Sequence, residues 1–172
     1  RSLSFLPYSH VLGRIEHWAQ PLYLYEICFA ESLEKIRDNL LEVRPTFFMS
    51  VPRIFEKIYS AIWTAMENQK IKRILFTRAL EVAKEVSSYQ EKAEPIPLRL
   101  FAEYKIAEKV VLSKVKEAFG GQLRFAISGG APLSDKISRF FYSCGVMICQ
   151  GYGLTETTAA VTVNTPFNFR LD

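Results

Sequence analysis

The sequence predicts an α/β fold: a mostly parallel sheet flanked by helices, with a helical segment inserted at about residues 52–119. Three observations carry that prediction. The last third alternates strand, helix and strand, the spacing that a parallel pair requires. The middle repeats apolar residues at helical intervals. Two glycine-bearing segments, Gly129-Gly130 and Gln150–Gly153, follow apolar strand candidates. Ligands of open parallel sheets gather at that carboxyl end.

The elements follow in order. Leu3–Leu6 reads as a short buried strand stopped by Pro7. A helix runs from Ser9 or His10 towards Leu24, with Pro21 expected to bend or split it. Ile27–Ala30 forms a brief strand. Ser32 caps a helix over Leu33–Val43, with Glu31 and Lys35 paired at i,i+4. Thr46–Val51 is apolar, β-branched and aromatic enough for a strand. Pro52 opens a helix with Ile54, Phe55, Ile58, Ile62 and Ala65 on one side. A second pattern takes in Ile71, Ile74, Leu75, Ala79, Val82, Ala83 and Val86. Glu94-Pro95-Ile96-Pro97 breaks the chain. A third helical stretch, Leu98–Phe119, ends at Gly120-Gly121. Leu123–Ser128 is a strand. Ser134 caps a helix with a stripe of Ile137, Phe140, Phe141 and Cys144, and Gly145 stops it. Val146–Cys149 is the next strand, with a turn expected to start at Gln150. Ala159–Val163 is a final strand candidate.

The chain has 172 residues, 49% of them hydrophobic and 13% aromatic. That suits one domain over residues 1–172 with a sizeable core and excludes a disordered tail. The absence of an initial Met, and an end just past a strand, give the expectation of an excerpt from a longer polypeptide. The net charge is +4, and the excess lies in the middle: residues 53–116 hold 13 Lys and Arg against 8 Asp and Glu. Two readings stand, a solvated helical face or a surface for an anionic membrane or phosphate ligand. No basic run is interleaved with aromatics, so nucleic acid is not an expected partner. Three cysteines (Cys28, Cys144, Cys149) in apolar stretches fit buried free thiols in a reducing, cytoplasmic compartment, with peripheral membrane contact left open. Two histidines make a zinc site unexpected. No run of apolar residues is long enough to span a bilayer.

The segment CQGYGLTETT (Cys149–Thr158) holds the chemistry. Tyr152 between Gly151 and Gly153 has room to stack on a base. The hydroxyl of Thr155 and nearby amides suit a phosphate, and Glu156 suits Mg²⁺. The plain alternatives are a half-buried Tyr152, an N-cap Thr155 and a first-turn Glu156. Their clustering within a few residues favours function. In Gly129-Gly130-Ala131-Pro132 the missing side chains let a flat ring or a ribose approach the backbone. His10 reads either as a pocket residue or as a capping or core histidine. The Trp18, Tyr23, Tyr25 and Phe29 group reads as core ahead of an acyl pocket.

Taken together, LPYSHVLGR (Leu6–Arg14), RPTFFMSVPRIFEKIY (Arg44–Tyr59), FGGQLRFAISGGAPL (Phe119–Leu133) and QGYGLTETT (Gln150–Thr158) resemble the long-chain fatty-acid–CoA ligases of the adenylate-forming superfamily. The resemblance covers nearly the whole chain and implies part of that family's large N-terminal domain. It implies ATP, Mg²⁺, CoA and a fatty acid as cofactors and substrates, with the CoA site largely outside this chain. Gly129, Gly130 and Ala131 would then border the adenylate. Gln150, Gly151, Tyr152 and Gly153 would border the adenine and acyl-phosphate region. Thr155 would meet the α-phosphate, Glu156 would hold Mg²⁺, and His10 would lie near the acyl carboxylate. The family's phosphate loop is expected upstream of Arg1, and its ribose aspartate, hinge and small C-terminal domain beyond Asp172. A fragment of this kind is expected to be inactive alone. Tyr25-Glu26-Ile27 departs from relatives that carry small residues there. Removal of neighbouring strands would leave apolar sheet edges, so self-association into a homo-oligomer is a further expectation.

Overall fold

The computed structural model describes residues 1–171. Its strands are β1 (Ser2–Ser4), β2 (Ile27–Phe29), β3 (Phe47–Ser50), β4 (Phe125–Ser128), β5 (Ile148–Leu154) and β6 (Ala159–Val163). Its helices are α1 (Val11–Tyr23), α2 (Ile36–Val43), α3 (Pro52–Thr64), α4 (Lys70–Glu91), α5 (Leu98–Ala107), α6 (Ser113–Glu117) and α7 (Asp135–Ser143). A π-turn, Glu108–Leu112, joins α5 to α6. The strand order is β2-β1-β3-β4-β5-β6. Every pairing is parallel except the last, β5 with β6. The predicted mostly parallel α/β sheet is therefore the observed one.

Strand alternation sorts the two faces of the sheet. On β1, Ser2 Oγ donates to Glu16 Oε1 at 2.5 Å, and Ser4 Oγ lies 3.2 Å from His17 Nε2. Leu3 points the other way and joins a core with Leu40 of α2 and Phe55 of α3. On β3, Phe47 meets Tyr25 edge-on at 4.7 Å, while Phe48 meets Phe55 at 6.1 Å. So α1 covers one face, and α2, α3 and α7 cover the other. The stripe predicted for α7 is buried at all four positions, Ile137, Phe140, Phe141 and Cys144. Phe141 sits edge-on to Phe55, Phe119 and Phe140. Such aromatic pairs add about 0.5–1.5 kcal/mol each beyond area burial.

Gly120 and Gly121 end α6 with φ of +85° and +79°. A Cβ on Gly120 would lie 2.4 Å from the Leu40 carbonyl oxygen, and Arg44 Nε donates to the Gly120 carbonyl at 2.9 Å. This glycine lets the end of the helical segment close against α2.

Several expectations are corrected. Pro21 lies inside α1 and does not split it; it falls in the last turn, where one lost amide bond is tolerated. The helix expected from Leu33 starts at Ile36, because Ser32 Oγ accepts from the Lys35 amide ahead of the helix. Ser134 occupies the N-cap of α7, but its side chain makes no capping hydrogen bond. In α4 the buried face is Phe76, Ala79, Leu80, Val82, Ala83 and Val86, while Ile71, Ile74 and Leu75 are exposed. Trp18, Tyr23 and Phe29 are exposed as well, so that group is not core; Tyr25 alone is half-buried. Cys28 is half-buried, whereas Cys144 and Cys149 are buried. No helix among the described residues is long and apolar enough to cross a membrane.

Candidate functional site

Three chain segments meet at the carboxyl edge of the sheet. The first is the loop after β4. Gly129 is buried, and its amide donates to the Ser50 carbonyl at 3.1 Å, so the loop is pinned to the end of β3. A Cβ on Gly129 would meet Leu12 Cδ2 at 3.4 Å and the Gly151 carbonyl at 3.8 Å. Gly130 and Ala131 are exposed. Gly130 has φ of +83°, which only glycine adopts cheaply, and its outer side is open apart from Val51 Cγ1 at 3.8 Å. The result is a strip of bare backbone at the mouth of the sheet.

The second segment is β5. Ser128 of β4 is in register with Gln150. The Gln150 side chain accepts from the Leu133 amide at 3.1 Å and staples the glycine loop to β5. The expected turn at Gln150 is absent: the strand continues to Leu154 and returns as β6. The glycines serve close packing here. A Cβ on Gly151 would lie 3.5 Å from Val163 Cγ2. A Cβ on Gly153 would lie 1.5 Å from the Ala159 carbonyl oxygen, at the register shift between Tyr152 and Gly153. Tyr152 is 65% exposed, so the ring is available to a ligand and is not a core aromatic.

The turn Thr155–Thr158 closes the hairpin. Thr157 Oγ1 accepts from the Leu154 amide at 2.9 Å and lies 3.0 Å and 3.1 Å from the carbonyls of Leu154 and Ala159. That hydroxyl shapes the turn. Thr155 and Glu156 are exposed and make no side-chain hydrogen bond among the described residues. At the usual rise of a strand, about 13 Å separates Gln150 from Leu154, so these two groups stand beyond the glycine loop, at the hairpin tip. The structure thus brings Gly129, Gly130, Ala131, Gln150 and Gly151 into one cluster. It places Tyr152 and Gly153 along the strand that leaves that cluster.

The third segment is the start of α1. His10 is the N-cap, and its Nδ1 accepts from the Leu12 amide at 3.2 Å, while its Nε2 has no hydrogen-bond partner among the described residues. Leu12 rests on Gly129, so the helix start that His10 caps lies beside the glycine loop. Gly13 permits this packing: a Cβ there would sit 2.6 Å from the Pro7 carbonyl.

Glu156 is the only acid in the segments Gly129–Pro132 and Cys149–Thr158. No group of three metal-ligating side chains occurs among the described residues. One free carboxylate fits Mg²⁺ that takes its remaining ligands from phosphate oxygens and water. Burial pushes the Cys149 thiol up to about 11 and the Cys144 thiol up to about 12, so neither is a nucleophile at neutral pH. Beside the loop, the buried Ser128 Oγ has no hydrogen-bond partner.

Sequence reasoning missed Leu12, Gly13, Ser128 and Thr157. A signal existed for one of them: β1, β3 and β4 each end in serine (Ser4, Ser50, Ser128), all buried.

A family model described as AMP-binding enzyme matches residues 1–171. The long-chain-fatty-acid–CoA ligase FadD15 of Mycobacterium tuberculosis is 34% identical over 164 residues, 95% of this chain and 27% of that protein. The peroxisomal long chain acyl-CoA synthetase 6 of Arabidopsis thaliana is 31% identical, over 93% of this chain and 22% of that protein. The chain therefore spans about a quarter of the length of the curated relatives it matches. Two solved structures share the fold. The A domain of a carboxylic acid reductase from Segniliparus rugosus, in complex with AMP and a co-purified carboxylic acid, aligns with a TM-score of 0.60 at 23% identity. That alignment covers 95% of this chain and 22% of the other. The N-terminal domain of FACL13 from Mycobacterium tuberculosis aligns with a TM-score of 0.56 at 16% identity, over 96% and 30% of the two chains.

Proposed function

Since the chain belongs to the AMP-binding enzyme family, we propose that it forms the adenylate-binding part of an ATP-dependent long-chain fatty-acid–CoA ligase. In the reaction, a fatty carboxylate oxygen attacks the α-phosphorus of ATP, and the bond to the pyrophosphate oxygen breaks. The CoA sulfur then attacks the acyl carbonyl, and AMP leaves with the bonding pair.

The observation that carries this reading is the staple between the glycine loop and β5. It joins a bare backbone strip to a strand that ends in an unpartnered hydroxyl and an unpartnered carboxylate. The base and ribose lie against Gly129, Gly130 and Ala131, with Gln150, Gly151 and Gly153 framing the strand side. Tyr152 offers its exposed ring for stacking, worth roughly 1–3 kcal/mol. Thr155 donates to the α-phosphate. Glu156 holds Mg²⁺, which when bound neutralises phosphate charge. His10 directs Nε2 to the acyl carboxylate. Such groups act by positioning and by charge complementarity to the transition state.

Pyrophosphate exchange on the complete protein, with a panel of acids, tests the proposal. Long-chain acids are expected to support exchange above aryl, amino and medium-chain acids. Glu156→Ala is expected to lower exchange by about a hundredfold, the loss of about 3 kcal/mol of preorganised charge. Its melting temperature should match the parent, because the side chain is exposed and unpartnered. Near-normal acyl-adenylate formation in that variant would defeat the assignment.

A further inference from the structure

A cavity of about 690 Å³ lies between α2, α3, α4 and the π-turn. Its walls include Ile58, Ile62, Phe76 and Val115. Neither the glycine loop, the hairpin nor His10 contributes to it. It sits among the helices on the face of the sheet opposite α1, so it is separate from the adenylate crevice.

Two features set it apart from an ordinary packing defect. First, four cations line it (Arg37, Lys57, Lys72 and Lys114) against the single carboxylate of Glu34. None of the four forms an ion pair among the described residues; the pairs found there lie elsewhere. Second, the π-turn runs along it. The wider turn contributes both Val110 and Val111 to the lining, and π-turns recur at functional sites.

We propose that this cavity is a second binding site for a free long-chain fatty carboxylate. The apolar walls take the chain, and the unpaired cations take the head. The volume falls within the range of small-molecule pockets, about 300–1,000 Å³. A partner helix, about 10 Å across, would overfill it within two turns. Leu75, which lines the cavity, is itself solvent-exposed and offers the chain an apolar entry. The proposal goes beyond the adenylation reading and does not depend on it.

Equilibrium dialysis of labelled palmitate against the complete protein, without ATP, tests the site. Two palmitates per chain are expected. The double variant Lys57→Glu/Lys114→Glu, at two exposed positions, should weaken one binding event about tenfold. Ala61→Trp should abolish that event by filling the cavity. Pyrophosphate exchange at saturating palmitate should stay within about twofold of the parent in both. Hexadecanol should fail to displace the second palmitate, since it lacks the charge. Should Ala61→Trp fail to fold, the lysine variant alone decides. Palmitate binding with affinities unchanged in the lysine variant, whether one or two molecules are bound per chain, would overturn the proposal. So would recruitment to phosphatidylglycerol vesicles through the same lysines with no second palmitate. Two palmitates bound with no exchange under any acid would support the cavity and sink the adenylation reading.

Discussion

Gly153 offers a sharp test of the hairpin that carries Thr155 and Glu156. An added Cβ would lie 1.5 Å from the Ala159 carbonyl oxygen, 2.4 Å from its carbon and 2.8 Å from Ala160 Cα. All three obstacles are backbone of the paired strand, so no rotamer change relieves them. Overpacking costs about 1–3 kcal/mol where neighbours can shift, and the upper value applies when the neighbour is backbone. About 3 kcal/mol corresponds to about a hundredfold in the opening equilibrium of the hairpin. Gly151→Ala is the control: its Cβ meets Val163 Cγ2 at 3.5 Å, an ordinary contact, and its φ lies outside the left-handed region. Gly153→Ala in the complete protein should reduce amide protection of Ala160 and Thr162 by about a hundredfold and lower pyrophosphate exchange by a similar factor. Gly151→Ala should keep the parent's amide protection at both positions. Equal loss of amide protection in the two variants would refute the claim that Gly153 sets the hairpin register.

Glu16 and the cysteines yield further predictions. Glu16 is fully buried, and burial raises its pKa above the ordinary 4.5 against the opposing influence of Ser2, Ser4 and His17. A raised carboxyl pKa means that the folded state binds the proton more tightly than the unfolded state does. The associated stability is complete below pH 4.5 and is lost as pH rises through the folded value. Glu16→Gln keeps a group that can accept from Ser2, so its melting temperature should exceed the parent's at pH 8, with the gap shrinking towards pH 5. An equal loss at both pH values would contradict this. With a disulfide reagent at pH 8, Cys28 should react in the native protein, while Cys144 and Cys149 should react only after denaturation. Rapid native labelling of all three would contradict the burial of the latter two.

Strands β3 and β4 were legible because each is a short, largely apolar run stopped near Pro52 or at Gly129, whereas β1 is Ser-Leu-Ser and lies at Ser2–Ser4 and not at the expected Leu3–Leu6. Pro52 opens α3 and Gly120-Gly121 closes α6 for local reasons that any context preserves. The misreadings share a cause. In Gln150–Gly153 the glycines were read as turn formers, yet Gly151 and Gly153 lie within a strand because β6 packs against them. Glycine for φ and glycine for close approach look alike in one sequence. The buried Glu16 was invisible because a carboxylate on a helix reads as solvated; Ser2 and Ser4, small and polar across from it, were the available hint. Trp18 and Tyr23 look like core by composition, but α1 turns them away from the sheet. The π-turn leaves no periodic signature, since one added residue shifts the stripe without breaking it. The site residues themselves were legible as a cluster, but the staple from Gln150 to Leu133 needed the fold.

A crystal structure of the complete protein with a non-hydrolysable acyl-adenylate mimic tests the central claim most directly. The adenosine should lie on Gly130 and Ala131, with the phosphate mimic within hydrogen-bond reach of Thr155. Electron density for the mimic at any place away from the β4 loop and the β5–β6 hairpin would contradict the account.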